Sequence, residues 1–196
     1  MQSVLNVGGY NKTYAIPSYF DGWRHDLLDI DPQCNPDILA DARELEKFPP
    51  ATYDAVYCSH NLEHFYPHDA VKVVRGFHHI LKPEGFVEIH VPDILAVMRQ
   101  VIQNNMDVDD VLYTSDKRPI LVRDVLYGYH VEIERSGNDF FAHKTGFSKK
   151  SFVALMNGNG FTAAVSKPDK MFEITALFFK QYPSDTLCRF LNITKS

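Results

Sequence analysis

The sequence predicts an α/β fold in which helices cover both faces of a mostly parallel β-sheet. Apolar runs of strand length alternate with segments whose apolar residues recur at helical spacing, a pattern typical of parallel strands joined by crossover helices. Most of the strand-like runs end at glycine, aspartate or proline, which terminate buried strands. The last two strands are joined by the four-residue link 167–170, which has proline at its second position, as hairpin turns do. It is too short for a parallel crossover, so we expect that pair to be antiparallel.

Seven segments have the composition of strands. The first, Val4–Val7, is apolar and runs into Gly8 and Gly9, which predicts a buried strand that enters a glycine turn. Proline cannot continue a central ladder, so Asp-Pro and Pro-Pro pairs separate the strands that follow. Those strands are predicted at His25–Asp31, Ile38–Ala40, Tyr53–Ser59, Phe86–Val91, Phe161–Ser166 and Phe172–Phe179.

Helices are predicted where apolar residues repeat on one face. The most regular pattern covers His68–Leu81, and Asp93 is the expected N-cap of a helix that continues through Ile102. Two further helices are expected, at Pro119–Tyr127 and from Ser148 to Gly158. The polar and aromatic stretch 136–147 is expected to be a loop, and the irregular segment 107–150 as a whole is interpreted as an inserted cover.

The composition excludes several classes of protein. A chain of 196 residues fits one domain, 1–196, and 45% hydrophobic with 23% charged residues is typical of an ordinary globular protein. The net charge of -5 has the wrong sign to attract nucleic acid. The three cysteines form no C-x-x-C pair, which predicts neither a disulfide framework nor a zinc site. No segment resembles a signal or a membrane span, so we expect a soluble, cytoplasmic protein with no membrane partner.

Candidate binding residues follow four of the predicted strands, at the point where each strand ends. Glycine lets the backbone approach a ligand closely, and an acid at the end of the second strand is placed to accept hydrogen bonds from ribose hydroxyls. Because the carboxyl ends of parallel strands meet at one edge of a sheet, we expect a nucleoside site there. The residues are Gly8 and Gly9, Asp31, Asp41, and Ser59 with His60.

Six segments of the chain carry the motifs of a known family. They are LNVGGYN, LLDIDP, ILADARELEKFP, YDAVYCSHNLEHF, ILKPEGFVEIHVPD and HKTGFSKKSFVALMNGNGF. Together they resemble the class I S-adenosylmethionine-dependent methyltransferases, specifically the type 11 group, over residues 4–180. The resemblance implies a Rossmann-like methyltransferase sandwich with seven strands in the order 3-2-1-4-5-7-6, the seventh antiparallel. It also implies S-adenosylmethionine as the cofactor.

The resemblance assigns roles to residues by position. Gly8 and Gly9 would line the methionine part of the cofactor, Asp31 would bind the ribose hydroxyls, Asp41 with Ala42 would meet the adenine, and Ser59 with His60 would flank the sulfonium. The second glycine of the family falls on Tyr10, and the acid that precedes it falls on Asn6. A Cβ makes positive φ costly, so Tyr10 implies either another loop path or weaker cofactor binding.

The reaction needs few groups from the protein. The methyl donor is already activated, so the protein mainly aligns the reactants and excludes water. An acceptor hydroxyl or amine needs a base near pH 7, and histidine is the side chain with such a pKa. We predict His64, beside the pocket, and His143, in the cover segment, as catalytic residues, with structural roles as the alternative. Glu63 precedes His64, but no second histidine follows in an H-E-x-x-H pattern, so no metal is expected.

The sequence therefore predicts a methyltransferase that acts on a small-molecule acceptor such as a sugar or a secondary metabolite. The alternative is a non-catalytic binding or partner protein that keeps the fold with a degenerate cofactor loop, since Asn6 and Tyr10 depart from the family pattern. A nicotinamide oxidoreductase is disfavoured because G-x-G-x-x-G is missing and a terminal antiparallel hairpin is not expected in that fold.

Overall fold

The computed structural model describes residues 1–115, 117–167 and 171–194. Its centre is a seven-stranded sheet of β1 (Ser3–Val7), β2 (Arg24–Asp29), β3 (Ile38–Leu39), β4 (Tyr53–Ser59), β5 (Leu81–Pro92), β8 (Ala163–Ser166) and β9 (Glu173–Phe179). The strand order is β3-β2-β1-β4-β5-β9-β8. The first five strands are mutually parallel, and β9 is antiparallel to both β5 and β8. The predicted α/β class and strand order are confirmed, while part of the link between the last two strands, 168–170, lies outside the described residues.

Six α-helices occur in the described ranges, together with a two-stranded sheet. The helices are α1 (Pro67–Ile80), α2 (Ile94–Asn104), α3 (Val122–Tyr127), α4 (His130–Ser136), α5 (Lys149–Asn157) and α6 (Asp185–Leu191). The small sheet pairs β6 (Val111–Ser115) with β7 (Arg118–Leu121). Short 3-10 helices follow the sheet strands at Pro32–Cys34, Ala42–Lys47 and Leu62–His64. None of these helices has the length and apolar character needed to span a membrane.

The two faces of the sheet are covered differently. On one face α1 and α5 contribute Phe77, Phe152 and Met156 to the main core, where all three are fully buried. The other face is covered by the β1–β2 connection, which holds only a 3-10 helix (Ser18–Phe20), and by Leu191 of α6. Both faces therefore bury apolar surface, which is the main driving force for this fold.

Several predicted elements are wrong in their bounds, and the fifth strand, for example, begins at Leu81 instead of Phe86. The second strand ends at Asp29 instead of Asp31, because the Asp29 carboxylate accepts the Asp31 N–H and turns the chain. The predicted helix 119–127 begins as strand β7, where Pro119 is tolerated in a two-stranded ribbon, and turns helical only at Val122. The expected loop 136–147 starts at the end of α4 and contains a 3-10 helix, 139–141.

Candidate functional site

A cavity of about 750 Å³ opens at the carboxyl ends of β1 to β4. This size is within the range of small-molecule sites. The strand side is lined by Gly8, Tyr10, Asp29, Asp31, Asp41, Ala42, His60 and His64. The opposite wall comes from the segment after β6 and is lined by Arg118, Glu132, Asp139, Phe140, Phe141 and Lys144. The cavity therefore lies between the edge of the sheet and residues of the predicted cover.

Most of the predicted site residues line this cavity, but three do not. Gly9, Ser59 and His143 lie outside its lining, with His143 directly behind His64 at a ring-centroid distance of 5.0 Å. The prediction missed Asp29, Arg43 and Asn61, which line the cavity as well. The signal for Asp29 was present, since it directly follows two buried leucines in the second strand.

The turn after β1 leaves no room for side chains at its glycines. A Cβ on Gly8 would lie 2.0 Å from Nδ2 of Asn61, and a Cβ on Gly9 would lie 2.3 Å from Nδ2 of Asn6. Tyr10 has φ +62°, so the loop keeps a left-handed conformation at a cost of about 1–2 kcal/mol. The Tyr10 side chain is 43% exposed, and the cavity remains open beside it.

Replacing Gly8 with alanine is expected to destabilise the protein by about 1–3 kcal/mol more than the same change at Gly137. Both glycines have φ +68°, but only Gly8 has a neighbour, Asn61, within reach of the new Cβ. Urea unfolding of the two variants measures the difference. Equal losses would mean that the turn can move away from Asn61 without cost.

Two carboxylates face the cavity at the end of β2. Asp29 accepts the Asp31 N–H through Oδ1 at 3.0 Å and the Tyr10 N–H through Oδ2 at 3.3 Å. Asp31 accepts the Gln33 N–H through Oδ1 at 2.8 Å and thereby caps the 3-10 helix that follows. The turn between them leaves both acids in the lining of the cavity.

A third carboxylate, Asp41, ends the β3 segment and is held by an arginine. The Arg43 guanidinium contacts both Asp41 oxygens, with Nη2 to Oδ2 at 2.5 Å and Nε to Oδ1 at 3.0 Å, and its Nη1 lies 3.3 Å from Asp69. Partial burial would raise the pKa of Asp41, but the hydrogen bonds from Arg43 outweigh this and lower it. Asp41 therefore stays ionised and fixed at the cavity wall.

Histidines surround a buried glutamate at the end of β4. Glu63 is 1% exposed, and its backbone oxygen accepts the N–H groups of Lys144 at 2.8 Å and Thr145 at 3.1 Å. Nδ1 of His60 lies 3.5 Å from Glu63 Oε1, and Nε2 of His143 lies 4.0 Å from the same oxygen. These contacts join the strand end to the segment that carries His143.

His60 and His143, which both lie near the Glu63 carboxylate, differ in pKa. Burial lowers the pKa of His143 below its usual range, although Glu63 opposes the shift. Partial burial would also lower the pKa of His60, but the hydrogen bond from the imidazole to Glu173 and the negative charge of Glu63 outweigh it and raise the pKa to about 10. At neutral pH, His60 is therefore cationic and His143 is neutral.

A second polar cluster lies behind His60 on the sheet. Nε2 of His60 is 2.8 Å from Glu173 Oε2, and Nδ1 of His90 is 3.1 Å from Glu173 Oε1. Nε2 of His90 lies 2.8 Å from Glu88, which also contacts Lys167 at 2.5 Å. Acids and cations alternate from the sheet to the mouth of the cavity, so the position of His60 is coupled to this buried network.

His90 is expected to give the stability a pH dependence. Burial would lower the pKa of His90, but hydrogen bonds to Glu173 and Glu88 outweigh it and raise the pKa above 6.5. The stabilisation is therefore complete below pH 6.5 and is lost as the pH rises through the raised pKa. Thermal unfolding of the wild type and a His90→Leu variant should show a difference in Tm that shrinks with rising pH. A difference that grows would contradict the assignment.

Comparisons with known proteins agree with this geometry. Residues 26–89 match the model of a methyltransferase domain family, type 11. A protein of Pyrococcus horikoshii OT3 is 15% identical with a TM-score of 0.61, and the alignment covers 91% of this chain and 82% of that one. A SAM-dependent methyltransferase from Archaeoglobus fulgidus is 14% identical with a TM-score of 0.57, covering 91% and 86%.

A third solved structure contains ligands. It is the 1,6-didemethyltoxoflavin-N1-methyltransferase of Burkholderia thailandensis, with bound 1,6-didemethyltoxoflavin and S-adenosylhomocysteine. It is 15% identical with a TM-score of 0.50, and the alignment covers 90% of this chain and 69% of that one. None of the curated protein sequences matches the chain. At these identities, the solved structures establish a common fold.

Proposed function

We infer that this chain, which resembles the type 11 group of class I S-adenosylmethionine-dependent methyltransferases, transfers a methyl group from S-adenosylmethionine to a small molecule. The observation that carries the proposal is the cavity at the ends of β1 to β4, with a glycine turn on one strand and Asp29, Asp31 and Asp41 on the next two. Ligands of open α/β sheets bind at this edge.

The residues present fit the cofactor. Gly8 brings bare backbone to the cavity edge, and no Cβ would fit on it or on Gly9, which follows it. Oδ1 of Asn6 and Oδ1 of Asn61 are buried and accept no hydrogen bond within the described ranges. Such oxygens can accept hydrogen bonds from the ammonium group of the cofactor, and Asn61 lines the cavity.

Each part of the cofactor has a proposed partner. We assign the ribose hydroxyls to Asp31 and Asp29, because both carboxylates line the cavity. The adenine is assigned to Asp41 and Ala42, the methionine part to Gly8, Gly9 and Tyr10, and the sulfonium side to Ser59 and His60, although Gly9 and Ser59 do not line the cavity themselves. S-adenosylmethionine supplies a methyl group that is already activated for in-line displacement.

The protein's own task is then to orient the acceptor, exclude water and accept a proton. His143 donates Nδ1–H to the Val125 carbonyl at 2.9 Å, so its neutral ring keeps a lone pair on Nε2. His64 lines the cavity and lies between that ring and the acceptor space. We propose that His64 and His143 handle the proton released by the acceptor.

The acceptor is proposed to be a polar small molecule with an apolar part, such as a sugar derivative or a secondary metabolite. Phe140 and Phe141 provide aromatic surface, whereas Arg118, Glu132 and Lys144 offer charges of both signs. Tyr127 and Tyr129, the other aromatic candidates in the cover, are not among the lining residues. We therefore propose that the segment 107–150 selects the acceptor.

Titration calorimetry with S-adenosylhomocysteine tests the proposal. Replacing Asp31 with asparagine is expected to weaken binding by about 1–3 kcal/mol, because charge-assisted hydrogen bonds to the ribose are lost. Glu84→Gln is the matched control, since it removes one charge from an exposed position at the start of β5. Equal affinities for the two variants would exclude Asp31 from the ribose site.

A non-catalytic partner protein is the second candidate, favoured by Asn6 in the place of an acid and by the strained Tyr10. This candidate predicts no binding of S-adenosylmethionine or S-adenosylhomocysteine at millimolar concentration. A thermal shift with nicotinamide dinucleotide would instead support an oxidoreductase. Binding of S-adenosylmethionine without methylation of any small-molecule acceptor tested would favour a ligand-binding protein.

A further inference from the structure

A buried carboxylate without a hydrogen-bond donor lies next to the cavity. Glu63 is 1% exposed, and neither of its carboxylate oxygens accepts a hydrogen bond from any residue that the structure describes. The nearest cationic group, Nδ1 of His60, is 3.5 Å from Oε1, while the Nε2 of that ring contacts Glu173. Buried carboxylates in proteins are normally hydrogen-bonded, paired or coordinated to a metal.

Two histidines lie beside this carboxylate, and each has its Nδ1 at a backbone carbonyl. His143 donates Nδ1–H to the Val125 carbonyl at 2.9 Å, and its Nε2 lies 4.0 Å from Glu63 Oε1. Nδ1 of His64 lies 3.1 Å from the Ala142 carbonyl, which accepts a hydrogen bond from it. Metal-binding histidines use this arrangement, since the second ring nitrogen fixes the tautomer by donating to a carbonyl.

His64 also has a ring nitrogen close to a backbone oxygen, a contact that is unfavourable unless that nitrogen carries a proton or a metal ion. Its Nε2 lies 3.1 Å from the backbone oxygen of His60. With the proton on Nδ1, the Nε2 lone pair faces the lone pairs of that oxygen. A metal ion on Nε2 removes the repulsion once the ring turns away from that oxygen, since the 3.1 Å gap itself has no room for an ion. The competing explanation is a doubly protonated His64 that donates to both carbonyls, with Glu63 as its counter-ion.

The spacing of the three side chains fits one ion. One ligand atom from each of Glu63, His64 and His143 can be chosen so that all lie within 4.8 Å of one another. Ligand atoms around a tetrahedral ion lie about 3–4 Å apart, because metal–nitrogen and metal–oxygen bonds are about 2.0–2.2 Å. A modest closure of the side chains therefore suffices.

We propose that Glu63, His64 and His143 bind one divalent transition-metal ion at the edge of the cavity. Two imidazoles with one carboxylate are a mixed nitrogen and oxygen donor set, which suits Zn²⁺ or Fe²⁺ better than Mg²⁺ or Ca²⁺. The absence of H-E-x-x-H does not exclude the site, since the third ligand comes from a distant segment. Hydrogen bonds from Lys144 and Thr145 to the Glu63 carbonyl tie that segment to the glutamate.

The site would leave a coordination position open toward the cavity. His64 is the ligand that lines the cavity, so a water or an acceptor oxygen could complete the coordination from that side. With the ion bound, His64 and His143 act as ligands and not as bases. The ion would then lower the pKa of a coordinated hydroxyl.

The experiment uses the full chain, stripped with a chelator and titrated with Zn²⁺ and, separately, Co²⁺. We expect one ion per chain by calorimetry, a Co²⁺ d–d absorption band in the visible, and a Tm that rises with Zn²⁺. Glu63→Gln and His143→Gln should each weaken Zn²⁺ binding by at least about tenfold, the minimum expected for loss of a ligand. Both should reduce the Tm rise at the same Zn²⁺ concentration.

The control is His68→Asn, which removes a histidine that is 72% exposed and 3.6 Å from Asp69. It should bind Zn²⁺ as the wild type does. Glu63→Gln should fold in the presence of chelator, because it removes a buried charge that accepts no hydrogen bond. No Zn²⁺ binding by the wild type at millimolar concentration, or equal binding by Glu63→Gln, would overturn the proposal in favour of the protonated His64.

The metal proposal and the proposed function fail separately. Binding of S-adenosylhomocysteine is measured on the metal-free chain, where the glycine turn and Asp31 are unchanged. Cofactor binding without Zn²⁺ binding overturns only the metal site. Zn²⁺ binding without cofactor binding supports the metal site and contradicts the methyltransferase.

Discussion

Replacing His90 with leucine is expected to lower the free energy of unfolding by about 3 kcal/mol. His90 is 8% exposed and contacts Glu88 at 2.8 Å and Glu173 at 3.1 Å. Leucine fills most of the space but leaves both acids without this cation. Removing one partner of a buried pair costs about 3–5 kcal/mol, and the remaining contact from Lys167 to Glu88 places the expected loss at the lower end.

Urea unfolding of three variants separates charge from packing. The exposed His68 provides the control, since His68→Leu should change stability by no more than about 0.5 kcal/mol. Adding Glu88→Gln to His90→Leu should recover part of the loss, because the acid left with fewer partners is then neutral. Wild-type stability in His90→Leu would contradict a charged, paired network on this face of the sheet.

Replacing Phe77 with alanine is expected to cost about 3–5 kcal/mol, the usual loss for a large aromatic deleted from a core. Phe77 is fully buried in α1 and belongs to the main core together with Phe152 and Ile89. The helix cannot collapse freely into the space, because Gly76 already touches the 3-10 helix after β3. A Cβ on Gly76 would lie only 2.6 Å from the Leu45 Cβ.

Val71→Ala is the control for this core change, since Val71 lies on the same helix and is only half-buried. Its loss should be clearly smaller in the same unfolding measurement. Phe77 does not line the cavity, so the folded variant should keep the wild-type affinity for S-adenosylhomocysteine. A loss below about 1 kcal/mol would mean that the core rearranges around the missing ring.

Local sequence patterns predicted the elements that form through interactions between residues close together in the chain. Strand β4 has the predicted bounds, Tyr53–Ser59, because a segment rich in the β-formers Tyr and Val is followed directly by a turn. Asp93 and Ser148 cap α2 and α5 as expected, since a side-chain oxygen just before an apolar repeat satisfies the first free N–H groups.

Features that depend on distant contacts escaped prediction. The β6–β7 ribbon was missed because Pro119 suggests the start of a helix, and only the pairing with Val111–Ser115 makes that segment a strand. The side-chain turn at Asp29 ended β2 early, which moved the strand end from Asp31 to Asp29. His143 was predicted as a catalytic residue, but its proximity to Glu63 follows from chain folding and has no local signal.

A crystal structure with S-adenosylhomocysteine tests the central claim most directly. The account predicts the ligand at the ends of β1 to β4, with its ribose hydroxyls on the carboxylates of Asp29 and Asp31, its adenine beside Ala42 and its sulfur facing His60. A folded protein in which the Tyr10 ring occupies that space, with the ligand elsewhere or absent from soaked and co-grown crystals alike, would contradict the account.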